Sequence, residues 1–352
     1  AGSAPTLRFL SRGNRRLTAQ QVLPVPGSST AMPSPPGAVA ARRFRAPTES
    51  GRALLDPPRS AVGELLAENQ AEAAERNVTC GGMTLQELSR AARSDLVQRA
   101  WAYTSAYRDA GPRPDAVEEL PLLLTGHQPQ LFHAGVWFKN FLLAELGRRQ
   151  PSRCVNLLID NDLCRSATLR VPTGSLAAPR VASVPYDQGP GGVPYEERTL
   201  HDPEWFRTFA RRVAETLQPL VTQPLVRPLW KHAVPAGATH RNLGRCVAQA
   251  RNCLEADWGL NNWEMPLSDI CRGDSFRAFL THLLVHSERL REVYNQCLWD
   301  YRQANRIRSR SHPVPALGAD GDWREAPFWI WTADQPQRRG LWVRPRGEGL
   351  EI

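Results

Sequence analysis

The sequence predicts an α/β fold built around a pair of parallel strands, and three observations support this prediction. Leu120–Thr125 and Cys154–Ile159 are short apolar runs with the length of buried strands. Between them, Ala134–Arg149 carries apolar side chains at helical spacing. A strand, a helix and a second strand in succession are typical of a βαβ unit, whose two strands pair in parallel.

Additional helical segments are expected on both sides of this unit. Thr84 and Glu87 form a capping box, which predicts that a helix begins there. Asp202 followed by Pro203 favours another helix start, because Asp accepts from free N–H groups and Pro suits the first turn. The other expected elements are helices over 239–256 and 274–305, strands over Thr168–Val171 and Val181–Tyr186, and a hairpin that joins Phe328–Trp331 to Leu341–Val343.

These elements divide the chain into five expected segments. They are a disordered N-terminal segment over 1–60, a helical segment over 61–117, the sheet core with insertions over 118–272, a long helix over 273–310 and a hairpin segment over 311–352. The hairpin has little to pack against in this chain, so we expect it to begin a truncated C-terminal part. We expect the natural translation start at Met32, which would leave residues 1–31 as an upstream extension.

The positive charge of the chain is concentrated near its N-terminus. The formal net charge is +9, but residues 1–60 alone contain nine arginines and only two acidic residues. The rest of the chain is therefore nearly neutral. A basic tail without apolar periodicity is usually a solvated segment, so nucleic-acid binding through it is only the second alternative for the function.

The composition favours a cytoplasmic protein. No run of about eighteen apolar residues is present, so no membrane span is predicted. The seven cysteines are odd in number and contain no CxxC pair, which is typical of reduced thiols rather than of disulfides or a zinc site. The sequence leaves the oligomeric state open.

The first candidate site follows the first predicted strand, in the stretch TGHQPQLFHAGVWFKN. Its turn carries Gly126, His127 and Gln128, and Lys139 lies about one turn into the helix that follows. A helix N-terminus offers free N–H groups and positive partial charge, which bind phosphate or carboxylate groups. The alternative is an ordinary turn, in which His127 and His133 bond to backbone groups.

The second candidate site, Asp160-Asn161-Asp162, directly follows the second predicted strand. In open α/β sheets, ligands bind outside the carboxyl ends of the strands, so these carboxylates could face the same crevice as His127. They could hold a metal, orient a substrate amine or hydroxyl, or act as a base. Asp and Asn also favour turns, and a solvated turn is the alternative.

Two further histidines, His282 and His286, lie four residues apart on the predicted long helix and could share one face. A zinc protease would have Glu immediately after the first histidine, and this chain has Leu283. We therefore interpret both as ordinary helix residues, and we predict no metal site in the chain.

The first candidate site resembles a segment of the bacillithiol-synthesis cysteine-adding enzyme family. That family carries Thr-Gly-Gln-Gln-Pro-x-Leu, followed by a Gly and an aromatic-rich run that ends in Lys. The matching residues are Thr125, Gly126, Gln128, Pro129, Leu131, Gly135 and Lys139, with His127 in place of the first Gln. The family's Glu-Asp-His-Asp segment is similar to Asp160-Asn161-Asp162, and Ile159 stands where the Glu would be.

The resemblance covers about residues 118–165 and implies a Rossmann-like core related to nucleotidyl-transferring ligases. It implies a ligase that joins an amino acid such as cysteine to the amine of a small, amino-sugar-like substrate. In such a ligase His127, Asp160 and Asp162 would be catalytic, and the substrate-binding residues would be Thr125, Gly126, Gln128, His133, Lys139 and Asn161. The cofactor is left unknown, with ATP or another nucleotide as the candidate. Because Ile159 replaces an acidic residue, a non-catalytic small-molecule or anion-binding protein on the same fold is the first alternative.

Overall fold

A computed structural model describes residues 44–115, 120–131, 133–332, 335–346 and 349–352. Most of the segment predicted to be disordered, with much of its basic tail, lies outside these ranges. No helix within the described ranges is long and apolar enough to cross a membrane.

The structure is mixed α/β. The helices of the described ranges are α1 (Val62–Glu75), α2 (Leu85–Ser105), α3 (Ala134–Arg149), α4 (Pro203–Leu217), α5 (Val226–Thr239), α6 (Leu243–Asp257), α7 (Leu267–Ile270), α8 (Asp274–Val285) and α9 (Ser287–Ala304). The strands are β1 (Thr79–Cys80), β2 (Met83–Thr84), β3 (Leu122–His127), β4 (Arg153–Leu158), β5 (Leu163–Cys164), β6 (Thr168–Gly174), β7 (Pro179–Pro185), β8 (Val193–Pro194), β9 (Trp263–Pro266), β10 (Ala319–Asp320), β11 (Trp323–Thr332), β12 (Gln335–Arg346) and β13 (Gly349–Glu351).

The chain divides into two compact units. Among the described residues, the first, here the core unit, contains 91–273 and 331–338, and the second, the C-terminal unit, contains 44–90, 274–330 and 339–352.

The core unit contains a three-stranded parallel sheet in the order β3–β4–β9. The predicted βαβ unit is confirmed, with α3 over the predicted range between β3 and β4. β3 pairs with β4 as far as His127, whereas the predicted strand ended at Thr125. Gly126 and His127 are therefore part of the strand rather than of the turn. The strand ends two residues later than predicted, and Gln128 is the first residue after it.

The two faces of this sheet differ in polarity, because side chains alternate along a strand. On one face, Val155 and Met265 pack against Val97 of α2. On the other face, Asn156 and Glu264 are partners in register on β4 and β9, and both are fully buried. A polar layer inside a core has to be hydrogen-bonded: Asn156 Nδ2 donates to Glu264 Oε1 at 2.8 Å, and Arg251 of α6 pairs with Glu264.

An inserted helical layer lies between β4 and β9 along the chain, where α4, α5 and α6 surround a cluster of buried aromatic rings. The rings of Phe209 and Trp230 have centroids 4.4 Å apart. Trp230 also donates from Nε1 to the Phe206 carbonyl oxygen at 2.6 Å, so its polar atom is satisfied inside the core. Large rings of this kind dominate the apolar stabilisation of a core. The two short strands predicted in the insertion pair as the antiparallel hairpin β6–β7.

Two predicted helix starts are confirmed by their hydrogen bonds. Thr84 N–H donates to a Glu87 carboxylate oxygen at 2.9 Å, and Glu87 N–H donates to Thr84 Oγ1 at 3.2 Å, which is the reciprocal pattern of a capping box. Asp202 accepts from Trp205 N–H at 2.8 Å and caps α4.

For two helices the predicted range was wrong. The segment over 274–305 forms α8 and α9, which are separated at His286, where φ is −101° and ψ is 32°. The helix predicted over 239–256 begins only at Leu243, because the Asn242 side chain accepts from Arg245 N–H at 2.8 Å and starts a new helix there.

The C-terminal unit has its own apolar core. Leu280 and Leu284 of α8 pack against Ala326, Leu341 and Val343 of β11 and β12. These two strands are neighbours in a four-stranded sheet, so the predicted hairpin is present. The expectation that the hairpin has little to pack against was wrong, because α8 covers it.

Candidate functional site

Three segments of the core unit meet where the parallel strands end. Gln128 follows β3, Asp160 and Asp162 follow β4, and Ser268 and Asp269 follow β9. Because the three strands run in the same direction and pair in register, these segments share one edge of the sheet. These five residues, together with Glu196, form the carboxyl edge.

The two predicted motifs touch each other at this edge. Gln128 Nε2 donates to Asp162 Oδ2 at 2.9 Å, and the Leu163 N–H donates to Asp162 Oδ1 at 2.8 Å. Partial burial opposes ionisation of Asp162, but these two hydrogen bonds outweigh it and lower the pKa of its carboxyl group. Asp162 is therefore a carboxylate at neutral pH, and it can attract a cation.

Asp160 lies deeper, with only 4% of its surface exposed. The Ser268 N–H donates to its Oδ1 at 2.9 Å, and the Ser268 hydroxyl donates to its Oδ2. Burial raises the pKa of Asp160, although both hydrogen bonds from Ser268 act in the opposite direction. Its side chain ties the end of β4 to the residues that follow β9.

The carboxyl edge also contains a third carboxyl group, Glu196, which the sequence analysis missed. Its N–H donates to the Asp160 carbonyl oxygen at 2.9 Å, and the N–H of the preceding Tyr195 donates to the Asp162 carbonyl oxygen at 2.9 Å. Burial, followed by the charge of Asp160, raises the pKa of Glu196 to about 7. A carboxyl group with this pKa is a proton acceptor and donor at neutral pH. No motif marks Glu196 in the sequence, since only the fold brings it to the strand ends.

Arginine side chains balance part of this negative charge. Arg338 Nη1 lies 3.3 Å from Asp162 Oδ1. Arg245 Nη2 lies 3.0 Å from Asp269 Oδ2, and Arg272 Nη1 lies 3.1 Å from Asp269 Oδ1. Asp160 and Glu196 form no ion pair of this kind within the described residues.

His127 points away from this edge into the buried polar layer. Its Nε2 lies 3.1 Å from Asn140 Oδ1, and its Nδ1 lies 3.3 Å from the Gln128 carbonyl oxygen. Burial, and then the charge of Arg251, lower the pKa of His127 to about 4. The ring is therefore neutral at pH 7, with one N–H to donate to either of these oxygens.

The buried polar layer around His127 is stabilised by a network of buried ion pairs. Glu255 Oε1 accepts from Trp137 Nε1 at 2.6 Å, from Asn140 Nδ2 at 2.7 Å and from Arg251 Nη1 at 3.1 Å. Arg251 pairs with Glu264 as well. One guanidinium thus faces two carboxylates, and burial raises the pKa of Glu264.

The remaining predicted residues of the first motif are engaged locally. Lys139 Nζ donates to the Gly126 carbonyl oxygen at 2.9 Å, and Thr125 Oγ1 donates to Asn156 Oδ1 at 3.1 Å. His133 caps α3, since its Nδ1 accepts from Gly135 N–H at 3.0 Å. One of the free N–H groups at the start of α3 is therefore already bonded within the chain.

Asn161, between the two aspartates, accepts a hydrogen bond through its backbone carbonyl group. Its carbonyl oxygen lies 3.3 Å from Arg338 Nη1, while its buried Oδ1 has no hydrogen-bond partner among the described residues. The described ranges contain no group of three or more His, Cys, Asp and Glu side chains arranged to hold a metal ion. His282 and His286 lie in the C-terminal unit with ring centroids 4.5 Å apart and an angle of 43° between the ring planes.

No model of a known protein family matches this chain, and no curated protein matches its sequence. The function therefore has to be argued from the residues at the carboxyl edge.

Proposed function

We propose that the carboxyl edge is the active site of a ligase that joins an amino acid such as cysteine to the amine of a small, amino-sugar-like substrate. The chain would be a divergent relative of the cysteine-adding enzymes it resembles, with a Rossmann-like core. The observation that supports this best is the contact between the two motifs, through Gln128 Nε2 and Asp162 Oδ2, beside the carboxyl group of Glu196.

The carboxyl groups suit an amine substrate. Asp162 is ionised and partly exposed, so it attracts a substrate ammonium group. An amine becomes a nucleophile only when this extra proton is removed. Glu196, with a pKa of about 7, accepts the proton at neutral pH. Burial keeps that pKa high, and the nearby charge of Asp160 raises it further.

The reaction forms one C–N bond and breaks one acyl C–O bond. The carboxyl group of the amino acid first has to be activated, and ATP or another nucleotide would supply the activating group. The deprotonated amine would then attack the acyl carbon, the activating group would leave with the electron pair of the C–O bond, and the nitrogen would pass its remaining extra proton to that departing anion. Arg338, beside Asp162, provides a positive charge for the anionic groups at this edge.

His127 is a positioning residue in this proposal. Its neutral ring lies between Asn140 and the Gln128 carbonyl oxygen, so it fixes the backbone from which Gln128 reaches Asp162. Lys139 acts in the same way through the Gly126 carbonyl oxygen. Loss of either contact would shift Gln128, and an error of about 1 Å in substrate placement can lower a rate about 100-fold.

Mass spectrometry of a reaction mixture tests the proposal. The full chain is incubated with glucosaminyl malate and cysteine, with and without ATP. We expect the condensed product, reduced at least tenfold by Asp162→Asn and by Glu196→Gln, in variants that still unfold cooperatively. Asp274→Asn is the matched control, because its side chain is 98% exposed in the C-terminal unit. Absence of product from the folded chain, or full activity in both variants, would reject the ligase.

A non-catalytic binding protein is the second candidate, and Ile159 favours it. Ile159 occupies the position of the family's acidic residue, and its Cδ1 would lie 3.2 Å from a Cβ added at Gly126. An apolar side chain therefore fills space between the ends of β3 and β4. This candidate predicts saturable binding of glucosaminyl malate in a calorimetric titration and no product in the reaction mixture.

A further inference from the structure

The Ser268 hydroxyl group lies between two carboxyl groups of the carboxyl edge. It donates a hydrogen bond to Asp160 Oδ2, and the N–H of the same residue donates to Asp160 Oδ1 at 2.9 Å. The side chain of Glu196 is a second hydrogen-bond partner of this hydroxyl group. Ser268 is itself 7% exposed, so its side chain is buried where β9 ends. One hydroxyl group therefore joins two carboxyl groups that come from different segments of the chain.

The single proton of this hydroxyl group limits the hydrogen bonds that it can form. A serine hydroxyl donates one hydrogen bond and accepts through two lone pairs. Because the bond to Asp160 uses the proton, Ser268 can bond to Glu196 at the same time only as an acceptor. An ionised carboxylate has no proton to donate, so this contact requires the protonated form of Glu196. In the opposite arrangement Ser268 would donate to an ionised Glu196, and Asp160 Oδ2 would lose its donor.

The deep burial of Asp160 decides between the two arrangements. Asp160 is 4% exposed and forms no ion pair in the described part of the chain, so its charge depends on the two donors of Ser268. Besides burial and these bonds, Asp269 raises and Arg245 lowers the pKa of Asp160, and these two pair with each other at 3.0 Å. Glu196 is only half-buried, so water can solvate it. The hydroxyl proton therefore stabilises Asp160 more than it would stabilise Glu196.

The other titratable groups that face Glu196 are compatible with its protonated form. After burial and the charge of Asp160, the neighbouring Glu197 also raises the pKa of Glu196, whereas Arg272 lowers it. The Cys271 thiol lies near the same two carboxyl groups. Burial, followed by the charges of Asp160 and Glu196, raises the pKa of Cys271 to about 11, so this thiol is neutral at pH 7.

We propose that Glu196 carries a proton that it donates to Ser268 Oγ, while the Ser268 hydroxyl group donates to an ionised Asp160. Ser268 is then a positioning residue, because it keeps the proton on the more exposed carboxyl group, which a substrate can reach. This position of the proton does not depend on any substrate.

The catalytic role of this proton rests on the proposed ligase. When ionised Glu196 deprotonates the substrate ammonium group, one N–H bond breaks and one O–H bond forms on Glu196. The electron pair of the N–H bond stays on nitrogen, which can then attack the acyl carbon. Ser268 accepts a hydrogen bond from the new O–H group, so it makes Glu196 a stronger base.

Infrared titration of the full chain tests the position of the proton without any substrate. A protonated carboxyl group has a carbonyl band that disappears on ionisation, and the titrating component that is missing from Glu196→Gln belongs to Glu196. We expect its midpoint at about pH 7 in the wild type. Ser268→Ala removes the acceptor for this proton, so the midpoint should fall by about one pH unit. Ser268→Thr keeps the hydroxyl group and should titrate as the wild type does.

The opposite direction of the hydrogen bond makes the opposite prediction. A hydroxyl group that donated to Glu196 would lower its pKa, so its removal would raise the midpoint. A rise or no change in Ser268→Ala would therefore overturn the proposal, and so would an equal fall in Ser268→Thr. Ser183→Ala is the matched control, because Ser183 is exposed on β7, and it should leave the midpoint unchanged.

The pH dependence of condensation tests the role of the proton in the ligase. With glucosaminyl malate, cysteine and ATP, kcat/KM should rise with pH through the midpoint of Glu196, and Ser268→Ala should move this rise to lower pH by about one unit. A merely structural role of Ser268 would lower kcat/KM at every pH without moving the rise. If the infrared midpoint falls but the chain forms no product, the ligase is rejected and the position of the proton is confirmed.

Discussion

The carboxyl edge and the opposite edge of the same parallel sheet, here the amino edge, where β4 and β9 begin, carry side chains of opposite charge. Asp160, Asp162 and Glu196 gather at the carboxyl edge, whereas Arg148 and Arg153 line a pocket at the amino edge. In a parallel sheet all strands begin at one edge and end at the other, so the two edges are built from different loops. One small sheet therefore keeps its acidic side chains and these two arginines at opposite ends of the strands.

The buried layer between the edges should show the largest effect on stability. Arg251→Met would leave Glu255 and Glu264 buried without their guanidinium partner. Breaking a buried pair in this way costs about 3–5 kcal/mol. Urea unfolding should show this loss, while Arg170→Met, at an exposed position of β6, should be nearly neutral. A loss below about 1 kcal/mol would mean that the layer does not depend on Arg251.

Substitutions at two glycines, one near each edge, would show how tightly each edge is packed. A Cβ added at Gly147, beside the amino-edge pocket, would lie 2.4 Å from Cys154 Sγ, whereas one at Gly126 would lie 3.2 Å from the flexible end of Ile159. Overpacking a close contact costs about 1–3 kcal/mol, so Gly147→Ala should destabilise by that amount. Gly126→Ala should stay within about 1 kcal/mol of the wild type, because a small shift of Ile159 accommodates it. Equal losses in thermal unfolding would contradict this difference.

The carboxyl edge should also make stability depend on pH. Glu196 has a pKa of about 7 in the folded chain, against 4.5 for an ordinary glutamate. Between these values the folded chain holds a proton that the unfolded chain has released, so stability falls as pH rises through this window. Glu196→Gln should flatten the fall in melting temperature between pH 4.5 and 7, and above pH 7 it should be more stable than the wild type. The raised pKa of Asp160 contributes a slope of the same sign. If Glu196→Gln keeps the full dependence of melting temperature on pH, Glu196 is already ionised over the whole range from pH 4.5 to 7.

The sequence predicted local elements better than the site. α3 was predicted to the residue, because its apolar spacing is strong and it is followed by the apolar run of β4. α6 begins after Asn242, whose side chain caps it. Asn is a helix-start signal, but the predicted range began before it, at residue 239. β3 was ended too early, because Gly126 and His127 have turn-like composition but pair with β4.

The roles of the site residues depend on tertiary contacts that sequence patterns do not contain. Asp160 and Asp162 were placed by the rule that ligands bind where parallel strands end. Whether His127 faced solvent or the core could not be predicted, because its direction follows from its strand register and from Asn140 on α3. Glu196 reaches Asp160 only through the insertion between β4 and β9, so no spacing in the sequence marks it.

The most direct test of the account is the affinity for glucosaminyl malate, measured by calorimetry with the wild type, Asp162→Asn and Arg153→Gln. If the carboxyl edge binds the substrate amine, Asp162→Asn should weaken binding at least about tenfold, and Arg153→Gln should leave it unchanged. Binding that Arg153→Gln weakens and Asp162→Asn spares would place this substrate at the amino edge and contradict the account.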